Sequence, residues 1–241
     1  EAILRYSGGD ARKLLNILEI IVNTTNDKQI EITNDKVHNI IQKNIALYDK
    51  SGEQHYDIIS AFIKSIRGSD PNAAVYWLAR MYEGGEDPEF IARRLVILAA
   101  EDIGLANPNA LMLATICFEA VKLIGWPEAR IILAETAIYL ATSPKSNSSY
   151  LAIESAVKLV QETGDLPVPL HIRNAPTNLM KEIGYGKDYK YAHDFEGNFV
   201  EEEFLPNDIK GKILYIPQEN QREKEIKERL IKWWKTKYNY K

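Results

Sequence analysis

The chain has 241 residues, of which 45% are hydrophobic and 27% charged, and a formal net charge of −4. These values exclude a disordered tail, a collagen and a disulfide scaffold. Folding at this length hides roughly 70% of the unfolded chain's surface, enough for one large core or two modest ones without staples.

The single cysteine, Cys117, sits in an apolar run and can form no internal disulfide, which reads as a reducing, cytoplasmic compartment. No run reaches the ~20 apolar residues of a bilayer span, and the chain does not open on a basic-then-apolar leader. Its start, Glu1-Ala2-Ile3-Leu4 followed by the glycine-rich Ser7-Gly8-Gly9-Asp10, predicts a piece of a longer protein.

In chain order, Asp10 predicts a helix cap before a face of Leu14, Leu15, Leu18, Ile21 and Val22. Thr33 caps a second helix bearing Val37, Ile40, Ile41 and Ile45, and the two form a helical hairpin. A helix over 54–67 follows. Asp70-Pro71, Asp87-Pro88 and Asn107-Pro108 each place a capping side chain before a proline at the first helical position, where its missing N–H costs nothing. The second of these helices runs to Gly104 and the third to Gly125. Pro127 opens another through about Ala141, and a last one spans 148–163 and stops at Gly164. Residues 54–163 thus read as six helices with no fixed repeat, a globular bundle. Beyond Gly164, prolines and glycines predict irregular chain, with a short helix at 177–183 and a strand at 213–216. From Glu219 a terminal helix carries Ile226, Leu230, Trp233 and Trp234. The fold class is all-α.

No complete catalytic constellation emerges. The four histidines, His38, His55, His171 and His193, lack the i, i+4 spacing of a helical zinc motif, and one cysteine supplies no thiolate cluster, so no metal ligands are assigned. His193-Asp194 reads as a loop pair. Gly184-Tyr185-Gly186-Lys187 is not a Walker A loop, because Lys181 and Asp188 stand where glycine and Ser or Thr are needed. The run 95–100 before Glu101-Asp102 imitates a Walker B strand, but its proline-started context reads as an amphipathic helix. Two basic stretches with interleaved aromatics remain. One holds Arg173, Lys181, Lys187 and Lys190 among Tyr185, Tyr189 and Tyr191. The other holds Arg229, Lys232, Lys235, Lys237 and Lys241 among Trp233, Trp234, Tyr238 and Tyr240. Such mixtures can track phosphates and stack bases; equally, the tryptophans can pack on a core and the lysines suit a helix C-terminus.

Longer strings carry a resemblance. Ser7-Gly8-Gly9-Asp10-Ala11-Arg12 before Leu14, Leu15 and Asn16 is similar to the sensor-2 helix in the lid of clamp-loader-clade AAA+ ATPases. Tyr48-Asp49-Lys50, His55-Tyr56-Asp57, Arg67-Gly68-Ser69-Asp70-Pro71, Tyr76-Trp77-Leu78-Ala79-Arg80-Met81 and Ala100-Glu101-Asp102-Ile103-Gly104-Leu105 narrow it. With Pro144-Lys145-Ser146-Asn147, Pro167-Val168-Pro169-Leu170-His171 and Gly184-Tyr185-Gly186-Lys187, they resemble the replication-associated recombination ATPases of the RarA/MgsA type, whose eukaryotic relative is the Werner-helicase-interacting ATPase. Ala192 and Asp188 depart from that pattern, which has proline and glycine there.

The resemblance implies the C-terminal part of such an ATPase: a lid remnant over 1–47, a collar-like oligomerisation domain over 48–164 and an irregular extension with a terminal helix over 165–241. It implies ATP and Mg²⁺ in the full-length protein, with the P-loop and Mg²⁺-binding acids upstream of this chain and no cofactor held by it. Of the nucleotide-contacting residues, Arg12 alone carries over, its planar charged fork suited to phosphate oxygens. The implied partners are further copies of the chain, as a tetramer, DNA at stalled replication forks and single-stranded-DNA-binding protein; the implied setting is the cytoplasm, at the nucleoid. A non-catalytic assembly module is the first reading. DNA binding through Arg173, Lys181, Lys187 and Lys190, or through the basic terminus, is the alternative.

Overall fold

The computed structural model describes residues 1–7, 11–24, 31–48 and 53–240. Eleven α-helices occur among them: α1 (Ala2–Ser7), α2 (Ala11–Thr24), α3 (Asn34–Tyr48), α4 (Glu53–Arg67), α5 (Pro71–Glu83), α6 (Pro88–Leu98), α7 (Asn109–Ile124), α8 (Ala129–Thr142), α9 (Ser148–Thr163), α10 (Asn178–Glu182) and α11 (Gln221–Trp234). The described residues contain no strand, so the all-α reading stands and the strand expected at 213–216 does not form. Residues 213–216 take no regular structure; a strand persists only where neighbours complete its ladder.

The chain divides into two compact units, 1–96 with 113–142 and 97–112 with 143–241. In the first, α1, α2 and α3 enclose a small core of Ala2, Ile17, Ile21, Val37 and Ile41, with Ile3, Tyr6 and Ile40 packed on it. This shifts the expected face of α2: Ile17 is buried, while Leu15 and Val22 are exposed. The cause is α1, which no periodicity in the sequence announces and which supplies Ala2 and Tyr6. The Tyr6 hydroxyl lies 2.6 Å from His38 Nδ1, and Asn34 Oδ1 accepts from the Ala2 N–H at 3.0 Å. Thr33 caps α3 as its sequence predicts, accepting from the Lys36 N–H. Asp10 lies outside the described residues.

The same unit holds a larger core in which α4, α5 and α8 pack together. Phe62 and Ile66 of α4, Ala74 and Leu78 of α5 and Leu133 and Leu140 of α8 are buried there. Asp70 starts α5 by accepting from the N–H groups of Asn72 and Ala73 at 3.0 Å each, with Pro71 at the first helical position. Pro127 does not open α8: residues 126–128 form a turn and the helix begins at Ala129. Trp126 is drawn into that turn, donating its indole N–H to the Glu86 carbonyl at 2.9 Å and meeting Tyr82 edge-on. Cys117 is buried, and burial, with Glu135 adding to it and Thr136 opposing, pushes its thiol up from the ordinary value.

In the second unit, the end of α6 loosens into a π-turn over Ala99–Ile103 and a 3₁₀ turn over Gly104–Ala106. Gly104 adopts φ +47°, and a Cβ there would stand 2.9 Å from the Ser146 carbonyl oxygen. The expected helix stop at Gly104 is therefore also a point of close approach. Helix α9 packs on these two turns.

Candidate functional site

Arg12 lies in the first turn of α2, and its side chain falls outside the described residues, as do Gly8 and Gly9.

The extension after α9 folds around side chains that the sequence marks as basic or aromatic. Arg173 faces inward: its Nε donates to the Val168 carbonyl at 2.6 Å and one terminal nitrogen to the Tyr185 hydroxyl at 3.0 Å. Its guanidinium sits 5.1 Å from the Tyr185 ring centre. The Gly184–Lys187 turn closes on the same segment, Gly186 donating its N–H to Leu170. This turn leads from α10 into irregular chain, not from a strand into a helix, so it is not a triphosphate cradle. Lys181 and Lys187 line one open cleft of about 770 Å³ together with His171, Asn207 and Leu170. Glu182, Asp188 and Glu203 line it too, so the cleft is mixed in charge. Lys190 is exposed and does not line it.

Lys237, one of the basic terminal residues, is enclosed. It donates to the Glu202 carbonyl, lies 3.4 Å from a Glu203 carboxylate oxygen and sits 4.5 Å above the Trp234 ring, with Tyr238 and Phe204 beside it. Phe199 stacks on Trp233 at 5.4 Å, with an 8° interplanar angle. Here the packing reading of these tryptophans holds, and Lys237 is engaged internally. His171 Nε2 lies 2.8 Å from the Glu203 carbonyl oxygen, tying the 165–172 segment to the same place. Among the described residues no group of three or more His, Cys, Asp or Glu side chains could hold a metal ion.

The most organised polar site in this unit was not marked as a site in the sequence. Glu223, in the first turn of α11, is fully buried. Its Oε1 accepts from Ser148 Oγ at 2.5 Å and from the Tyr215 hydroxyl at 3.0 Å, and its Oε2 accepts from the Asn220 side-chain amide at 2.5 Å. Ser146 Oγ donates to Ser148 Oγ, extending the network, and Gln218 donates to Asn147 beside it. Burial pushes the Glu223 carboxyl up, but the hydrogen bonds from Ser146, Ser148, Asn220 and Tyr215 outweigh it and leave the group below the ordinary carboxylate range. The Tyr215 phenol is held well above its usual value, by burial and by donating to Glu223. Lys145 nearby is lowered by burial, against an opposing pull from Asp102. The one sequence signal was local: Asn220-x-x-Glu223 matches the capping pattern of a helix start, and Asn220 Oδ1 does accept from the Glu223 N–H at 3.0 Å.

Both units expose apolar side chains. In the first, Ile116, Leu123 and Ile124 of α7, Ile131 and Ile138 of α8 and Tyr76 of α5 face solvent. In the second, α9 exposes Tyr150, Ile153, Val157 and Val160, and the extension exposes Val168, Leu179, Ile183 and Ile216. No described helix is long and apolar enough to cross a membrane.

Comparison with known proteins places these features in context. The family described as "MgsA AAA+ ATPase C terminal" matches residues 68–234, and that described as "AAA C-terminal domain" matches residues 1–67. The chain is 43% identical to replication-associated recombination protein A of Coxiella burnetii, covering 95% of this chain and 52% of that protein. It is 38% identical to the protein of that name in Escherichia coli, covering 95% of this chain and 52% of the relative. With ATPase WRNIP1 of Dictyostelium discoideum it shares 37% identity over 89% of this chain and 27% of the relative. The chain spans about half or less of the length of these curated relatives.

Proposed function

The chain belongs to the family of MgsA AAA+ ATPase C-terminal regions, and from that premise we propose that it is the oligomerisation and regulatory module of a DNA-dependent ATPase. That ATPase maintains replication forks in the cytoplasm, at the nucleoid, and serves recombination and repair. The module is not catalytic by itself. ATP and Mg²⁺ are bound by other parts of the full-length protein, with Arg12 reaching the nucleotide from the lid. Residues 1–47 act as the lid remnant, 48–164 as the collar and 165–241 as the extension. Its partners are other copies of the chain, as a homotetramer, with DNA and single-stranded-DNA-binding protein at the fork.

The observation that carries this reading is the apolar surface left open on α7, α8 and α9, where Leu123 is 86% exposed and Ile131 62%. A folded chain that keeps such side chains in water gains free energy by covering them, at roughly 25 cal/mol per Å² of apolar area removed from solvent. Gel filtration coupled to light scattering tests it: a mass near four times 27.5 kDa supports the module, and a 27.5 kDa species at micromolar concentration overturns it.

A second reading, single-stranded DNA binding, rests on Lys181 and Lys187 sharing one open cleft. Affinity for a labelled strand that falls steeply with salt and weakens in Lys187→Ala supports it. Undetectable or salt-insensitive binding removes it.

A further inference from the structure

The cations of α11 and the residues after it sort into two kinds. Lys224 and Lys227 pair with Glu219, at 3.6 Å and 3.2 Å, and Lys237 is enclosed against Glu203. Lys232 and Lys235 are exposed, and among the described residues neither side chain has a hydrogen bond or an ion pair. Glu228 stands one helical turn before Lys232, in the i, i+4 order that favours pairing, yet the two do not pair. Arg229 lies over the Trp233 ring, 5.8 Å from its centre, rather than against Glu225. No acid occurs from Arg229 to Lys241.

The fold brings two further cations from elsewhere in the chain. The segment Lys210-Gly211-Lys212 lies against the residues after α11: a Cβ on Gly211 would stand 3.8 Å from the Lys237 carbonyl oxygen. Lys210 and Lys212 are exposed, and among the described residues their side chains are likewise unpaired. Lys210 lines an open cleft of about 400 Å³ that shares a wall, Glu203, with the larger cleft holding Lys181 and Lys187. Two glutamates of the smaller cleft, Glu202 and Glu203, are turned inward beside His171 and Lys237, with side chains 12% and 16% exposed; Glu201 is its exposed acid. The dipole of α11 accounts for a cation in its last turn, Lys232. It does not account for a second basic pair arriving from residues 210–212. Unpaired like charges in one neighbourhood repel, and an anion of several charges relieves them. Because these lysines follow one another from cleft to turn to helix end and do not converge on one point, the anion they fit is extended.

We propose that the phosphate backbone of single-stranded DNA passes from the Lys181–Lys187 cleft over Lys210 and Lys212 to the end of α11 at Lys232 and Lys235. The proposal rests on the DNA-binding reading above and names the path by which the strand leaves that cleft. Lys224, Lys227 and Lys237, although part of the same basic stretch, stand outside the path because carboxylates already occupy them.

Fluorescence anisotropy of a labelled oligothymidylate, titrated with the whole chain over a range of salt, tests the path. A phosphate contact on a single strand contributes about 0.7 to the slope of log affinity against log salt. Lys210→Ala/Lys212→Ala and Lys232→Ala/Lys235→Ala are therefore each expected to lower the slope by about 1.4, and to weaken oligothymidylate and oligoadenylate alike. Lys224→Ala/Lys227→Ala leaves affinity and slope unchanged. An equal loss in that control, or displacement by polyglutamate as effective as by unlabelled strand at equal charge, marks general charge attraction and overturns the path. Full binding by both path variants with a loss in Lys187→Ala also overturns it and leaves the cleft reading standing. A parent chain that does not bind the strand overturns both. Circular dichroism confirms that each variant is folded, as the substituted lysines are at the surface.

Discussion

Ser148 and Glu223 are 75 residues apart in sequence and joined by a 2.5 Å hydrogen bond from the serine hydroxyl to a fully buried carboxylate. The first residue of α9 is thereby fixed to the first turn of α11. Tyr215 and Asn220 complete the carboxylate's shell, so directed bonds pin the start of the terminal helix while Trp233 and Trp234 pack its far end.

Glu223→Gln tests that hold. A carboxamide presents one acceptor oxygen and two donors to a shell made of donors, so whichever way it turns, either the Asn220 amide or the hydroxyls of Ser148 and Tyr215 lose their acceptor in a buried site. The expected loss is about 2–4 kcal/mol, seen as a lower unfolding midpoint and as faster amide exchange confined to α11 and the start of α9.

The same network gives stability a pH window. Because the folded Glu223 carboxyl titrates below its unfolded value, its contribution is complete above the ordinary carboxylate pKa of about 4.3 and disappears as pH falls through the lower, folded value. Tyr215 has the opposite sign: its raised phenol pKa makes a contribution present below about pH 10 that is lost in more alkaline solution. Urea midpoints across pH are therefore expected to form a plateau with an acidic fall, and Glu223→Gln flattens the acidic side.

Gly104→Ala meets two obstacles, a positive φ and a Cβ placed 2.9 Å from the Ser146 carbonyl oxygen. Both sit on backbone, which moves only with its neighbours. The expected cost is about 2–4 kcal/mol, measurable by thermal unfolding; an unchanged midpoint contradicts the tight approach of the 3₁₀ turn to residue 146.

The basic loop separates by role. Arg173→Ala removes two hydrogen bonds and a stacking partner for Tyr185, so limited proteolysis between residues 168 and 190 is expected to accelerate, with a loss of about 1–3 kcal/mol. Lys187→Ala, at an exposed cleft wall, is expected to change stability by less than about 0.5 kcal/mol. Equal proteolysis in the two variants contradicts this division.

Arg12→Ala, placed in the full-length ATPase, is expected to lower the rate of ATP hydrolysis with little change in unfolding midpoint, because a sensor arginine's partner is a phosphate and not the core. Wild-type turnover removes Arg12 from the nucleotide site.

Much of the fold is legible in the sequence because its signals are local. Asp70-Pro71 announces α5 through a cap and a fixed φ, and both are present; Thr33 caps α3 in the same way. The failures have a shared cause in contacts between distant residues. Ile17 rather than Leu15 is buried because α1 packs beside α2, and the run 213–216 stays without a partner strand. The six residues of α1 are too few to show a period. For the site, the cap pattern of Asn220 and Glu223 is visible, whereas the carboxylate's bond to Ser148 depends on a loop returning across seventy-five positions. Arg173 and Lys187 look alike as letters in a basic stretch; only the neighbouring Tyr185 hydroxyl and the Val168 carbonyl distinguish an anchor from a free cation.

The enclosure of Lys237 has an optical consequence. Two of the four tryptophans, Trp233 and Trp234, stand at the end of α11, one stacked on Phe199 and the other beneath an ammonium group 4.5 Å from its ring centre. Indole emission responds to a cation at such range, so peeling the tail from residues 199–204 alters the colour and brightness of half the chain's tryptophans. The molecule thus carries an unlabelled reporter of its own terminus.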